Sequence, residues 1–409
     1  MSIIYILAGL IGGFFSVYGL ITCFGGLLVR RHVVSKRKAP ACRIAAVVAA
    51  RNESAVIGEL IESLLAQKYP RELIDVCVVP NNCTDDTEAV AKAAGARIVP
   101  CTVPVHSKGE VLSDVLPRLS VTGRYDVYCI FDADNIVDPM FFQHVNDAWD
   151  AGVQVAQGFR DSKNPYDNWL SGCMSAFYWF MSHFFNESRF RLGLSCQLNG
   201  TGFMVSNEVI RRNGWKTVTL TEDLEYTAQC ALNGVRVNWM PEARTYDEQP
   251  TSLMASAVQR RRWTSGSLQC MRGYAKDLLM KGTPSSLDAG CFFLANLLNY
   301  TGLLTMILAL SQILKKLSQG TFPLAQTLTG SAFSLLTYLI SCWAVAAILF
   351  WLEHKLNRKA LPAILGFPLF MASWLPINLV ACFTRPPQWT NIRHGTRRGK
   401  SVNLTDDMV

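Results

Sequence analysis

The chain lacks the cysteine patterns that stabilise small secreted domains or bind zinc. Its thirteen cysteines are scattered, include no C-x-x-C pair and are odd in number. Neither a disulfide framework nor a zinc site is therefore predicted, and a reducing compartment fits this usage. The sequence also contains no internal repeat, low-complexity segment or lipidation motif.

Apolar residues, in contrast, are abundant. They make up half of the 409 residues, and the mean hydropathy is +0.18. Residues 3–29 are apolar throughout, too long for the apolar part of a signal peptide and long enough to cross a hydrocarbon core of about 30 Å. Residues 287–314 and 332–352 are a second and a third candidate span. The composition therefore predicts a multi-pass protein of the plasma membrane.

Basic residues indicate the orientation of these spans. Arg30 and Arg31 directly follow the first span, which predicts that the following segment is cytoplasmic. The fourth apolar segment, 361–383, contains three prolines and precedes a basic tail, so we expect a re-entrant or interfacial helix rather than a crossing. The net charge of +8 lies largely beside the membrane segments and in the tail. It favours anionic lipid headgroups over nucleic acid as a partner.

These patterns predict an organisation in four parts. The parts are an N-terminal transmembrane helix at 1–30, a cytoplasmic domain at 40–285, a membrane region at 287–384 and a cytoplasmic tail at 385–409. Within the cytoplasmic domain, helices near 169–190 and 271–285 are predicted to lie at the membrane interface, because they are aromatic or amphipathic. Ordinary domain core is the alternative interpretation of both.

The cytoplasmic block alternates between strand and helix patterns, which is typical of an α/β domain. Apolar runs at 44–49, 76–79 and 127–131 predict strands, and the third ends directly at Asp132. Open α/β sheets bind their ligands at the carboxyl ends of strands. The helix after the first strand is predicted to be capped by Ser54.

The helix after the second strand has predicted signals at both ends. Asp85 is expected to cap its start, and Gly95 is expected to end it.

Two acidic elements could carry chemistry. Asp132 and Asp134 could hold Mg²⁺ or Mn²⁺, the alternative being a solvated turn. In Thr221-Glu222-Asp223, Asp223 could accept the proton of an attacking hydroxyl, whereas a simple helix cap by Thr221 or Asp223 is the alternative.

A basic and aromatic element follows at 259–263, with the sequence QRRRW. Its arginines could bind a diphosphate through forked hydrogen bonds, and the indole of Trp263 offers a stacking face for a sugar. A basic helix face against lipid headgroups is the alternative for Arg260 or Arg261.

Two further loops could approach a ligand. Lys108 could place a cation on a phosphate or could be a solvated loop lysine. Residues 199–202, with the sequence NGTG, could let the backbone approach a ligand closely, or could form a plain turn.

Taken in order, these elements resemble those of the membrane-embedded family 2 glycosyltransferases of the cellulose, hyaluronan and chitin synthase type. Residues 49–53 (AARNE) and 81–85 (NNCTD) resemble the two nucleotide-binding segments. Asp132-Ala133-Asp134 matches D-x-D, Thr221-Glu222-Asp223 matches T-E-D, and Gln259, Arg262 and Trp263 match Q-x-x-R-W. The tail 388–397 resembles a gating loop that closes over the donor.

The resemblance implies a cytoplasmic α/β domain of the GT-A (Rossmann-like) type, combined with transmembrane and interfacial helices. It also implies a UDP-sugar donor, Mg²⁺ or Mn²⁺, and inversion at the anomeric carbon. Asp223, within the T-E-D element with Glu222, would be the base, and Asp132 and Asp134 would hold the metal. The residues implied at the donor are Ala50, Arg51, Glu53, Asn81, Lys108, Asp132, Gln259, Arg262, Trp389 and Thr390. The residues implied at the acceptor are Gly200, Thr201, Asp223 and Trp263.

Two departures from the family pattern bear on function. Many relatives have an acidic residue where this chain has Asn81, so an amide would contact the uracil. The number of spans is also low for a polymer channel, unless few helices suffice or subunits combine into a homo-oligomer. The leading hypothesis is a processive synthase that extends a β-linked glycan and moves it across the membrane. The alternative is a transferase that adds one sugar to a lipid acceptor.

Overall fold

The computed structural model describes residues 2–29 and 37–384. Within these residues the chain forms two compact units. The sheet unit comprises residues 37–164 and 196–249, and the helical unit comprises residues 2–29, 165–195 and 250–384. The basic residues Arg30 and Arg31 and the predicted gating loop, with Trp389 and Thr390, lie outside the described residues.

The sheet unit is built on a mixed sheet of eight strands among the described residues, in the order β3-β2-β1-β4-β7-β6-β8-β5. The neighbours of β1 run parallel to it, whereas β7 is antiparallel to both β4 and β6. The strands are β1 (Ile44–Ala50), β2 (Ile74–Pro80), β3 (Arg97–Ile98), β4 (Val127–Phe131), β5 (Ile136–Val137), β6 (Val155–Ser162), β7 (Phe203–Ser206) and β8 (Val237–Asp247).

The three strands predicted from apolar runs are confirmed as β1, β2 and β4. Every residue of β4 is buried, as expected for a central strand covered on both faces. The register pairs Ala50 with Pro80 and Val48 with Phe131. The carboxyl ends of these three parallel strands therefore meet at one edge of the sheet, where the site lies.

Short helices flank the sheet. They are α2 (Ile57–Leu65), α3 (Thr87–Ala93), α4 (Lys108–Ser120), α5 (Phe141–Asp150), α8 (Asn207–Asn213) and α9 (Glu222–Leu232). Aliphatic and aromatic side chains of β1, β4, α2 and α5 form the core between sheet and helices.

The predicted helix signals had mixed outcomes. The prediction that Ser54 caps α2 is wrong, because the helix begins at Ile57 after Val56 without a side-chain cap. Asp85 does accept a hydrogen bond from Thr87 N at 3.1 Å, although the cap position itself is Asp86. Gly95 follows α3 with a φ of 95°, as expected for the residue that ends a helix.

The helical unit contains the remaining helices. They are α1 (Ser2–Phe24), α6 (Trp169–Phe180), α7 (Glu187–Arg191), α10 (Leu253–Lys281), α11 (Pro284–Leu294), α12 (Leu297–Ser318), α13 (Leu324–Leu352), α14 (Leu361–Ala372) and α15 (Trp374–Phe383). A π-helical segment, Met181–Asn186, joins α6 to α7.

Four helical segments of this unit are long and apolar enough to cross a bilayer. They are Ile3–Leu28, Pro284–Ser318, Leu324–Leu352 and Arg358–Phe383. Their apolar side chains are largely exposed, which lipid would cover. These helices indicate membrane association, whereas the orientation and the interfacial placement of 361–383 stay predictions.

A buried ion pair fixes α7 against α11 within the helical unit. Arg189 Nε donates to Asp288 Oδ2 at 2.9 Å, and Tyr18 Oη donates to Asp288 Oδ1 at 2.8 Å. The Arg189 guanidinium also lies 3.5 Å from the ring centre of Phe185. A buried pair of this kind is held in place by its additional hydrogen bonds.

Candidate active site

The site of the sheet unit begins where the three parallel strands end. Arg51 follows β1, Asn81 follows β2 and Asp132 follows β4. Asn81 N donates to Ala50 O at 2.9 Å, which continues the strand pairing by one residue. The side-chain Oδ1 of Asn81 is buried and has no hydrogen-bond partner among the described residues. It is therefore an acceptor that a bound molecule could satisfy.

The loop that carries Asp132 and Asp134 is fixed by a small polar network. Asp132 N donates to Asn135 Oδ1 at 3.2 Å and to Thr201 Oγ1 at 3.0 Å. Thr201 Oγ1 in turn donates to Asn135 Oδ1. Thr201 is fully buried in this network, and its hydroxyl holds the backbone of the acidic loop in place.

The segment at 199–202 is held from the neighbouring strand β6. Gln157 accepts a hydrogen bond from Asn199 N at 2.7 Å and donates to Thr201 O at 2.8 Å. Arg160 donates to Asn199 O at 2.7 Å. Gly200 has a φ of +83°, and a side chain added there would begin 3.4 Å from Asp223 Oδ2. The segment is therefore a fixed turn whose backbone borders Asp223.

Lys108 lies at the centre of the site. Its ammonium contacts Asp132 Oδ1, donates to Gly200 O at 2.6 Å and lies 3.8 Å from Glu222 Oε1. Its side chain is only 15% exposed, so the alternative of a solvated loop lysine is wrong. Burial alone would lower its pKa, but Asp132 and Glu222 raise the pKa overall.

The Thr221-Glu222-Asp223 element starts α9. Thr221 occupies the cap position, but its buried hydroxyl has no hydrogen-bond partner among the described residues. Asp223 Oδ1 accepts from Leu224 N at 2.8 Å. Burial and the neighbouring Glu222 raise the pKa of Asp223 to about 7, whereas Lys108 opposes the shift. A carboxyl group with this pKa suits a general base near neutral pH.

Carboxyl groups with raised pKa values cluster at the sheet edge. Burial, together with the carboxylates of Asp134 and Asp132, raises the pKa of Glu53 to about 8. Burial likewise raises the pKa of Asp247 to about 6, against the lowering effect of Arg160. Because Asp132 and Asp134 contribute to both raised pKa values, a positive charge placed among these carboxyl groups would be stabilised.

These carboxylates fit a hard divalent cation. Among the described residues, no group of three or more His, Cys, Asp and Glu side chains is arranged as a complete metal site. Asp132 and Asp134 are the residues that would hold a Mg²⁺ or Mn²⁺ ion here, and Mg²⁺ commonly takes its other ligands from substrate phosphates and water.

Sequence reasoning missed several residues that build this site. Arg160 on β6 donates from Nε to Asp247 Oδ2 at 2.7 Å, and Asp247 ends β8. Both side chains are buried, and neither belongs to an apolar run. Gln157 and Asn135 were missed for the same reason, because a polar residue in a buried strand or loop resembles a surface residue in sequence.

The Gln259 to Trp263 element lies in the helical unit, on α10. Arg260 is fully buried, so the alternative of a lipid-facing basic residue is wrong for it. Its guanidinium lies 4.7 Å from the ring centre of Phe370 and 5.2 Å from that of Trp374, and it donates to Ser373 Oγ at 2.8 Å. Burial lowers its pKa to about 10. Arg260 is therefore part of the packing of α10 against α14 and α15.

The rest of this element is more accessible. Arg261 donates to Thr384 Oγ1 at 3.0 Å, and Arg262 is partly exposed. Trp263 stacks on Phe177 at 6.0 Å and on Trp374 at 6.3 Å between ring centres. Gln259 has a buried Oε1 without a partner among the described residues. Trp263 is thus already part of an aromatic stack.

The mixed sheet, with its acidic loop after the central strand, is the GT-A glycosyltransferase fold. Residues 40–266, more than half of the chain, match the family model described as "Glycosyltransferase like family 2". The chain belongs to this family and is a glycosyltransferase.

Two relatives and one solved structure show the extent of the similarity. A beta-monoglucosyldiacylglycerol synthase of Synechocystis sp. is 25% identical over 386 residues, 89% of this chain and 78% of that protein. A protein of the same name from Nostoc sp. is 27% identical over 265 residues, 61% of this chain and 55% of that protein. A mannosyltransferase from Pyrobaculum calidifontis, solved with GDP-Man and Mn²⁺, has a TM-score of 0.62 at 16% identity. The alignment of the two structures covers 93% of this chain and 99% of the mannosyltransferase chain.

Proposed function

We propose that this protein transfers a single hexose from a UDP-sugar to a glycerolipid acceptor, with inversion at the anomeric carbon. The similarity to a beta-monoglucosyldiacylglycerol synthase over 89% of the chain carries this proposal, because it extends well beyond the sheet unit into the helical unit. Glucose is the first sugar to test, since the relative's name specifies it.

The donor would bind at the carboxyl ends of β1, β2 and β4. Ala50, Arg51 and Glu53 would surround the nucleotide, and the buried Oδ1 of Asn81 would accept a hydrogen bond from the base. Uracil offers an N–H group that suits such an acceptor, so the site is compatible with a uridine donor. The ammonium of Lys108 would bind the diphosphate.

The metal would be held by Asp132 and Asp134. Its contribution would be to neutralise the negative charge that develops on the leaving diphosphate. Thr201 and Asn135 would act as positioning residues, because they hold the backbone of the acidic loop. Gly200 would border the acceptor through its backbone.

Asp223 would be the general base. Its carboxylate would take the proton of the acceptor hydroxyl while that oxygen bonds to the anomeric carbon, and the bond from that carbon to the diphosphate would break. UDP would leave with the bonding electron pair. Glu222 would support the ionised network through Lys108. Gln259, Arg262 and Trp263 on α10 are proposed to contact the substrates, and Trp389 and Thr390 are proposed for the donor from the tail.

A processive synthase is the second candidate. The Q-x-x-R-W pattern at Gln259, Arg262 and Trp263 favours it, because this element is associated with chain extension. The names of the relatives support single-sugar transfer to lipid more strongly, so the synthase takes second place.

The test uses purified protein in nanodiscs that contain diacylglycerol. Single UDP-sugars are supplied with Mn²⁺ or Mg²⁺, and the molecular masses of the lipid products are measured by mass spectrometry. A product one hexose heavier than the acceptor supports the proposal. Product formation in nanodiscs that contain no glycerolipid, or a ladder of masses, contradicts it. If no UDP-sugar gives a product in the presence of the metal, both transferase candidates are contradicted.

A further inference from the structure

A buried arginine and a buried aspartate connect strands β6 and β8 to the turn at 199–202. Arg160 Nε donates to Asp247 Oδ2 at 2.7 Å, and Nη1 of the same guanidinium donates to Asn199 O at 2.7 Å. The side chains of Arg160 and Asp247 are only 11% and 3% exposed. One guanidinium therefore joins the aspartate that ends β8 to the backbone of the turn.

The carboxylate of this pair is itself held in place. Gln249 Nε2 donates to Asp247 Oδ1 at 2.8 Å, so both oxygens of the aspartate accept hydrogen bonds. Gln249 is fixed in turn, because its N–H donates to Asn164 Oδ1 at 2.8 Å and its carbonyl accepts from Asn164 Nδ2 at 3.0 Å. Asp247 therefore keeps one orientation toward Arg160.

The pairing of β6 with β8 is irregular just before Arg160. It is regular up to Gly158 and resumes at Phe159 with Arg244, three residues further along β8 than a regular register would give. A side chain at Gly158 would begin 2.7 Å from Gly202 O, so only glycine lets β6 approach the turn this closely. Irregular pairing of this kind re-aims side chains next to active sites. The backbone therefore sets the position of Arg160.

The turn that Arg160 holds borders the proposed base. A side chain at Gly200 would begin 3.4 Å from Asp223 Oδ2, which is van der Waals contact. Burial and Glu222 raise the pKa of Asp223, and the positive charge of Arg160 opposes this rise. A shift of the turn would therefore change the space in which an acceptor hydroxyl meets Asp223. The residues proposed for the nucleotide follow β1 and β2 and belong to other loops.

We propose that Arg160 and Asp247 are a positioning pair for the acceptor, which fixes the turn at 199–202 so that the acceptor hydroxyl is aimed at Asp223. Neither residue needs to touch the substrate, since both act through the backbone of the turn. The inference rests on the proposed function in that a glycerolipid is the acceptor and Asp223 is the base. An ion pair that served stability alone would lower the binding of donor and acceptor together.

The first test uses the full-length protein in nanodiscs. In Arg160→Lys the positive charge stays beside Asp247, but lysine lacks the planar fork that reaches the aspartate and Asn199 O together. The kcat/KM for diacylglycerol should fall by about 10- to 100-fold, as expected when a group near the reacting atoms is misplaced. The Kd of UDP should stay close to that of the wild type. Asp247→Asn, which keeps the shape of the side chain, should show the same pattern.

A matched control changes an arginine of the same kind elsewhere in the sheet unit. Arg43 forms a forked pair with Asp126 just before β1 and β4, at the edge of the sheet opposite the site. Arg43→Lys should leave both the kcat/KM for diacylglycerol and the Kd of UDP unchanged.

A second measurement needs no acceptor. Amide hydrogen exchange, followed by mass spectrometry of peptides, reports local opening of the backbone. Exchange at 199–202 should become faster in Arg160→Lys and in Asp247→Asn, whereas exchange in β1 should not change.

The proposal is overturned if either exchange at the turn or the kcat/KM for diacylglycerol keeps its wild-type value in both variants. It is also overturned if UDP binding falls as far as the kcat/KM for diacylglycerol. Sugar transfer by the wild-type protein together with unchanged exchange in both variants removes this inference and leaves the proposed function standing. If the wild-type protein transfers no sugar to lipid, the proposed function fails, and the exchange measurement alone decides whether the pair fixes the turn.

Discussion

Buried charged side chains have different kinds of partner in the two units of this glycosyltransferase. In the sheet unit, Lys108 and Arg160 each contact a carboxylate at the edge where the strands end. In the helical unit, Arg189 is paired with Asp288, whereas Arg260 stacks on aromatic rings and contacts a serine hydroxyl. At the sheet edge the side chain of Asp132 is 36% exposed, so we expect the charges beside it to exchange protein partners for substrate. Arg189 and Arg260 in the helical unit are committed to packing, and removal of the one that pairs with a carboxylate should act on stability.

The largest expected effect comes from the sheet unit. Asp223→Asn removes the proposed base but keeps the shape of the side chain, so transfer should fall by about 10²- to 10⁴-fold. UDP binding should stay close to that of the wild type, as calorimetry can show. Asp150→Asn, which changes an exposed aspartate of the same unit, should retain full activity. Wild-type turnover in Asp223→Asn would show that the base is another residue.

In the helical unit, the largest expected effect is on stability. Arg189→Met leaves Asp288 buried without its cationic partner, which should cost about 3–5 kcal/mol of stability. The measurement is the thermal unfolding midpoint of the purified protein in detergent or nanodiscs. Arg191→Met breaks a partly exposed pair with Glu187 and should cost about 1 kcal/mol or less. Equal losses in the two variants would contradict the structural role given to the buried pair.

The pH dependence of transfer should follow the ionisation of Asp223 in the sheet unit. The pKa of Asp223 is raised to about 7, and only the ionised carboxylate can accept a proton. The turnover number should therefore be full above pH 7 and should fall about tenfold per pH unit below it. A flat profile down to about pH 5 would show that no carboxyl group with a raised pKa controls transfer.

The smallest expected effect is that of Arg260→Met. The variant removes a buried charge with no carboxylate partner and keeps most of the side-chain volume, so stability should change by about 1 kcal/mol or less. Transfer should be retained, in contrast with Asp223→Asn. A large loss of transfer at an unchanged unfolding midpoint would mean that Arg260 binds substrate, and the division between the two units would then be wrong.

The sequence predicted the central strands of the sheet unit and the polar residues after them well, for a physical reason. Buried parallel strands are continuous apolar runs, so β1, β2 and β4 can be recognised, and the polar residue after each run must lie at the sheet edge. Asp132 was located in this way.

The remaining site residues follow from tertiary contacts. Arg160 and Asp247 lie in strands whose polar residues are buried against each other, which no local pattern indicates. The capping signal of Ser54 failed because Asp85 accepts the Ser54 backbone N–H and the helix starts three residues later. The burial of Arg260 depends on α14 and α15, which lie about a hundred residues further along the chain.

The central claim is that the chain adds one sugar to a lipid. The most direct test measures product size in nanodiscs with diacylglycerol while the ratio of UDP-glucose to acceptor is raised from equal amounts to a large excess. Single-sugar transfer predicts that the product mass stays one hexose above the acceptor at every ratio, with only the yield increasing. A product that lengthens as the donor is raised would contradict the account and would identify a processive synthase.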